Sequence, residues 1–261
     1  MFYYFGYGSN MHLTSIRAKG VQPLTSERAI LPGWELTFNV EHYFRHEGGV
    51  GNIRPSTRAD AEVQGVVHLC EDGEMSKMDA VEAYGIGYDR IKVHVKTDQK
   101  NLEAVAYVGM PGFLNDSCRP TRRYMNILIN GASNAGLSKD YLSMLKNYPT
   151  HVKKTYPPFA PPDGTTRIFN EQNLKKHPEY TAIAGHVFDM NGARWQHEHL
   201  KGLFGGRDMT LWHLKRLDSS DGSETMEDIR QDCLSHKQRS YLNEYLHEYN
   251  VEYTCIGRFK Y

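Results

Sequence analysis

Between Pro149 and Pro162 the chain carries five of its eleven prolines, most of them in Tyr156-Pro157-Pro158-Phe159-Ala160-Pro161-Pro162. A residue with a locked φ and no N–H continues neither a helix nor a central strand, so no regular element crosses this stretch. The 261 residues also exceed what one core ordinarily organises. The expected division is a first domain over 1–148, a proline-rich linker over 149–165 and a second domain over 166–261. A long proline-rich arm packed on the first domain is the competing reading.

At the start of the chain, Phe2-Tyr3-Tyr4-Phe5 suits a pleated strand and runs into Gly6-Tyr7-Gly8-Ser9-Asn10. That is the composition of a sharp turn whose backbone N–H groups can cradle an anion. Residues 12–19 read as a short helix that fades at Gly20. Short strands are predicted at 28–31, 34–40, 64–69, 91–95 and 104–108. Gly48-Gly49-Val50-Gly51-Asn52-Ile53 reads as backbone packed too closely for side chains. Tyr124, Ile127, Leu128 and Gly131 share a helix face that ends by Gly136, and Ser138 caps a second helix burying Tyr141, Leu142 and Leu145.

Beyond the prolines, Ile168-Phe169 leads to a helix capped by Asn170 and stopped by Pro178, then to a hairpin over 180–188 turning at Gly185. Ser235 and Gln238 form a capping box for a helix with Tyr241, Leu242, Tyr245, Leu246 and Tyr249 on one face, ending at Asn250. Residues 251–256 read as a last strand.

Charge and cysteine content narrow the function classes. Thirty-one basic residues balance thirty-one acidic ones and form no basic run, so nucleic acid is not an expected partner. No apolar segment reaches membrane-spanning length, and no secretory signal is recognisable. Cys70, Cys118, Cys233 and Cys255 are scattered with no C-x-x-C pair, which reads as reduced thiols with no metal site. A soluble, cytoplasmic protein is expected.

Six motifs of the first domain stand in register: Tyr7-Gly8-Ser9-Asn10, Gly48 to Ile53, Gln64-Gly65-Val66-Val67, Met78-Asp79-Ala80-Val81-Glu82, Gly87-Tyr88 and Tyr124. In this order and spacing, residues 2–148 resemble the gamma-glutamylcyclotransferase family. The resemblance implies a mixed α/β barrel with flanking helices, and an enzyme that releases 5-oxoproline from a gamma-glutamyl substrate without a cofactor. Glu82 matches the family's catalytic carboxylate; its apolar neighbours Val81 and Ala83 suit a poorly solvated pocket that raises its pKa toward ~6–7. Tyr7, Gly8, Ser9 and Asn10 are expected to bind substrate, with Tyr88 and Tyr124 as walls or hydrogen-bond donors. Arg17, Arg54, Arg122 and Arg123 read as surface charges or partners for a second substrate carboxylate.

The second domain resembles a different family. Tyr180 to Asp189, Phe204-Gly205-Gly206-Arg207-Asp208-Met209-Thr210, the capped helix and Tyr253-Thr254-Cys255-Ile256-Gly257 look like the haem/steroid-binding branch of the cytochrome b5-like fold, a small α+β domain. Where that branch carries its ligating tyrosine this chain has Lys201, and Trp195 replaces an upstream pocket tyrosine. An ungapped count instead puts His197 at the first axial histidine of cytochrome b5 proper. Two readings stand: haem held by His197 or His199 with Trp195 and Tyr253 as walls, or the same fold without the ligand. The rival to an enzyme is a haem- or small-ligand-binding carrier whose first domain is catalytically silent.

Overall fold

In the computed structural model, which describes residues 1–261, the opening aromatic run forms β1 (Phe2–Gly6). Its side chains alternate: Phe5 points into one core and Tyr4 into another. The chain then makes a 3₁₀ turn (Ser9–Met11) and α1 (Leu13–Ala18). β2 (Thr25–Pro32), β3 (Trp34–Glu41), β4 (Gly49–Pro55) and β5 (Glu62–Cys70) follow, then α2 (Glu74–Glu82), β6 (Tyr88–Lys96) and β7 (Asn101–Gly109). Two capped helices, α3 (Arg122–Asn134) and α4 (Lys139–Asn147), complete the first of two units, Met1–Lys153. Thr121 and Ser138 supply the caps, each accepting from a backbone N–H three residues on.

Five of these strands close into a barrel in the order β1-β5-β2-β6-β7, antiparallel throughout except where β1 meets β7 in parallel at Tyr4 and Val105. Closure removes the edges that an open sheet would expose. The interior is filled by Phe5, Leu31, Val63, Val67, Val93 and Val95, with Ala29, Ala104 and Ala106 where space is short. Burying a side chain such as Phe5 or Leu31 contributes roughly 2–3 kcal/mol. The β3–β4 ribbon stands apart as a two-stranded sheet. Two further cores flank the barrel. One joins Tyr4, Ile16, Met78 and Tyr107 beneath α1 and α2; the other joins Met11, Phe38, Val66, Tyr124 and Leu128 beneath α3 and α4. Gly131 of α3 lets the Ser9–Met11 turn approach, since a Cβ there would lie 2.7 Å from the His12 backbone nitrogen.

The second unit, Lys154–Tyr261, is α+β. Its elements are β8 (Arg167–Phe169), α5 (Glu171–Leu174), β9 (Tyr180–Ile183), β10 (His186–Asp189), α6 (Leu200–Phe204), β11 (Arg207–Asp208), α7 (Thr210–Leu214), α8 (Met226–Arg230), α9 (His236–Glu252) and β12 (Thr254–Phe259). The strands form one mixed sheet, β11-β9-β10-β12-β8. The expected cap at Asn170, here a full capping box with Asn173, and the expected capping box at Ser235 are present, and α9 runs two residues beyond Asn250, so the last strand begins later than the sequence predicts.

The proline-rich stretch is extended, but its second half is no free linker. Within the second unit Asn243 of α9 brackets it, accepting from Phe159 N–H at 2.8 Å and donating to Pro157 C=O at 2.8 Å. Tyr156 donates to Glu248 at 2.7 Å, and the Phe159 ring meets His186 and His247 edge-on. Residues 149–153 go with the first unit, where His151 N–H donates to Pro120 C=O.

Candidate active site

α2 stops at Glu82 because Ala83 takes a left-handed conformation, φ 49° and ψ 55°. That abrupt end projects Glu82 from the helix terminus toward the Ser9–Met11 turn. Its Oε1 accepts from Asn10 Nδ2 at 3.1 Å and from Lys19 Nζ at 2.8 Å. Only 13% of the Glu82 side chain and 5% of the Lys19 side chain is exposed, so this is a nearly buried ion pair. The poorly solvated surroundings expected from sequence are there, but an ammonium at this distance favours the carboxylate over the acid.

Asn10 is held from both sides. Its Nδ2 also donates to Tyr4 Oη at 2.7 Å, and its backbone C=O meets His68 Nε2 at 2.9 Å. A carbonyl only accepts, so Nε2 carries the proton and Nδ1, 2.7 Å from Ser26 Oγ, accepts from that hydroxyl. Burial holds the His68 imidazole neutral, its pKa lowered to about 4 against the weaker opposing effect of the Asn10 carbonyl.

Six tyrosines, Tyr4, Tyr7, Tyr43, Tyr88, Tyr107 and Tyr124, lie close enough to Glu82 for its charge to act on them. Each phenol is pushed up mainly by burial, Tyr124 to about 12, so all are protonated near neutral pH. A phenol has one proton to give, and hydrogen bonding sorts their roles. Tyr7 donates to Tyr107 C=O, Tyr88 to Gly51 C=O at 2.9 Å and Tyr107 to Asp79 at 2.7 Å. Tyr124 instead accepts, from Gly51 N–H at 3.0 Å and from the Ser9 backbone. A hydroxyl that accepts two amide hydrogens keeps its own proton for another partner and donates it more strongly. Room for this packing comes from glycine: a Cβ on Gly8 or Gly51 would lie 2.9 or 3.0 Å from Tyr124 Oη.

Residues 62–145, which include Glu82, Tyr88 and Tyr124, match the AIG2-like family. This part of the first unit is therefore similar to the AIG2-like family. A Claviceps purpurea protein named gamma-glutamyl cyclotransferase gliK is 26% identical over 212 residues, 74% of this chain and 96% of that protein. Its Aspergillus fumigatus namesake is 23% identical over 173 residues, 56% of this chain and 63% of that protein. The crystal structure of an uncharacterized protein from Homo sapiens is 26% identical with a TM-score of 0.50, covering 59% of this chain and 92% of that one. The barrel with flanking helices thus shares the fold of that human protein.

Within the first unit the backbone cradle is more occupied than the sequence reading expected, since the Ser9 backbone already hydrogen-bonds to Tyr124. Arg54 pairs with Glu35 at the surface, and Arg123 pairs with buried Glu47. Burial alone would raise the Glu47 pKa, but Arg123, His46 and His42 override it and hold the carboxyl well below its usual range. Lys19 and His68 carried no signal in the sequence reading; each acts across 58 or more residues.

The haem candidates sit in the second unit. His197 is buried, with Nδ1 2.8 Å from Tyr253 Oη and Nε2 3.3 Å from Arg194 and 3.6 Å from Glu252. Arg194 in turn donates to both Glu252 oxygens at 2.9 Å. Both ring nitrogens of His197 thus lie against protein groups. Trp195 is 60% exposed. Tyr253 is buried but spends its hydroxyl on His197. His199 is held neutral by burial and by the neighbouring His197, its pKa lowered to about 4, and Lys201 pairs with Glu198 at 2.9 Å. No group of three or more His, Cys, Asp or Glu is placed to hold a metal ion, and no helix is long and apolar enough to cross a membrane.

Proposed function

We propose that the first unit cleaves a gamma-glutamyl amide by intramolecular aminolysis, releasing 5-oxoproline and an amine or amino acid. The meeting of Glu82 with Asn10 of the opening turn, 3.1 Å apart inside a set of tyrosines, carries this reading. The relatives named gamma-glutamyl cyclotransferase support it.

The substrate's α-ammonium gives a proton to the Glu82 carboxylate, and the freed amine attacks its own γ-carbonyl carbon. Folding the glutamyl chain for this closure replaces an encounter with a preset geometry. Negative charge gathers on the carbonyl oxygen, where the Tyr124 hydroxyl and the turn amides donate; such a donor is typically worth ~3–4 kcal/mol. Glu82 then hands the proton to the departing nitrogen as its bond to carbon breaks, and the ring nitrogen gives up its second proton to the released amine, which leaves as the ammonium. Atoms and charge then balance with no enzyme nucleophile.

We assign the second unit no haem chemistry, because His197 is committed to Tyr253, Arg194 and Glu252. A panel of gamma-glutamyl dipeptides and gamma-glutamyl amines, assayed for 5-oxoproline, tests the enzyme reading. Wild type is expected to turn over at least one class, and Glu82→Gln to lose at least a hundredfold in rate. Release by neither protein, or equal release by both, would return the first domain to a catalytically silent scaffold.

A further inference from the structure

Lys19 belongs to no motif of the sequence reading, yet its Nζ lies 2.8 Å from Glu82 Oε1. It caps the C-terminal end of α1, and Glu82 is the last residue of α2. Both helix ends carry partial negative charge from their unpaired carbonyls, and a carboxylate at a helix C-terminus is disfavoured by that field. Low exposure disfavours the charged form further. A buried carboxylate so placed becomes neutral unless a cation answers it.

Lys19 is such a cation, 2.8 Å from Glu82 Oε1, and it stands among neutral or otherwise engaged neighbours. Asn10 from the turn is a neutral donor. Tyr4 from β1, Tyr7 beyond it, Tyr43 from the β3–β4 connection, Tyr88 from β6, Tyr107 from β7 and Tyr124 from α3 are all protonated phenols near neutral pH. Asp79, one turn back on α2, is turned to Tyr107 and to Arg90, whose guanidinium lies 3.4 Å from it.

We propose that Lys19 is the positioning residue of this site, holding Glu82 as a carboxylate aimed at the turn and biasing it toward returning any proton it takes. The inference rests on Glu82 being the acid/base of the proposed aminolysis. Lys19 keeps all three of its protons throughout. It makes Glu82 a weaker base toward the substrate's ammonium and a stronger acid toward the departing nitrogen, so its benefit falls on the second half of the reaction.

The test reads the free protein. Glutamate labelled with ¹³C at the side-chain carboxyl is incorporated, the Glu82 resonance is assigned by its loss in Glu82→Gln, and its pH titration is followed by NMR. Lys19→Met and Lys19→Gln should move the Glu82 midpoint up by about one to three pH units, while Lys19→Arg should leave it within about half a unit of wild type. The acid limb of the 5-oxoproline pH–rate profile should move with it. An unchanged midpoint in a folded Lys19→Met or Lys19→Gln protein overturns the proposal. If both neutral variants fail to fold, Lys19→Met/Glu82→Gln decides: a folded double variant shows that the unanswered carboxylate was at fault and supports the proposal, and an unfolded one makes Lys19 a packing residue and overturns it. Because the titration uses no substrate, failure to release 5-oxoproline would sink the enzyme reading while leaving this result standing.

Discussion

Acidification from pH 7 to pH 4 should weaken the first unit through His68, and the size of the effect follows from its burial. Folded His68 titrates at about 4, against 6.5 for an exposed histidine, because burial penalises its charged form more than the Asn10 carbonyl favours it. The unfolded chain therefore takes up this proton first as pH falls. Stability from the neutral ring is fully present above about pH 6.5, drains away as pH falls toward 4, and amounts to about 3 kcal/mol over that interval. Glu47 also loses stability in acid, but mainly below the ordinary carboxylate range, so the comparison is with His68→Gln. Urea unfolding at half-unit steps from pH 4 to 7, followed by hydrogen exchange of β1 and β5 peptides, reports this unit alone. Wild type should lose about 3 kcal/mol more than His68→Gln between pH 6.5 and 4. Parallel curves for the two proteins would refute the reasoning. Since His68 holds the Asn10 carbonyl, the 9–11 turn should gain exchange over the same interval.

Two further outcomes follow from the geometry. Tyr124→Phe removes the site phenol that accepts from the Gly51 and Ser9 backbone, so kcat for 5-oxoproline release should fall by about a hundredfold, whereas Tyr88→Phe should cost mainly stability; comparison of the two kcat values with thermal unfolding checks this. Gly65→Ala puts a Cβ 2.6 Å from Gly6 C=O and 2.8 Å from the Phe5 ring, so the barrel should lose at least about 2 kcal/mol, measured by chemical denaturation.

Much of this architecture was readable from local chemistry. Thr121 and Thr225 aside, the side-chain helix caps were named in advance, and Ser138, Asn170 and Ser235 each accept from the amide expected of a cap. The opening strand and turn, and the strands of the barrel, were recoverable because alternation and glycine mark them. α2 was not, because Met78 is its one fully buried residue and its apolar pattern is nearly absent; Glu82 was found through motif register and not through helix periodicity. His68 lies in β5 between Val67 and Leu69, where nearly every side chain is buried, so no alternation marks it as special. Lys19 reads locally as a basic residue ending a helix, and its partner lies 63 residues away. The proline stretch showed that no element could cross it, but its docking depends on Asn243 and His247, far along the chain. His197 was picked by counting, and the count could not see the Tyr253, Arg194 and Glu252 side chains that enclose it.

The central claim is that the substrate's own α-amine, deprotonated by Glu82, is the nucleophile. The most direct measurement gives wild-type protein a gamma-glutamyl compound from the panel and its N-acetylated counterpart, and identifies the products by mass spectrometry. The account predicts 5-oxoproline from the free amine and no turnover of the acetylated compound. Free glutamate in place of 5-oxoproline, or cleavage of the acetylated compound at a comparable rate, would contradict it.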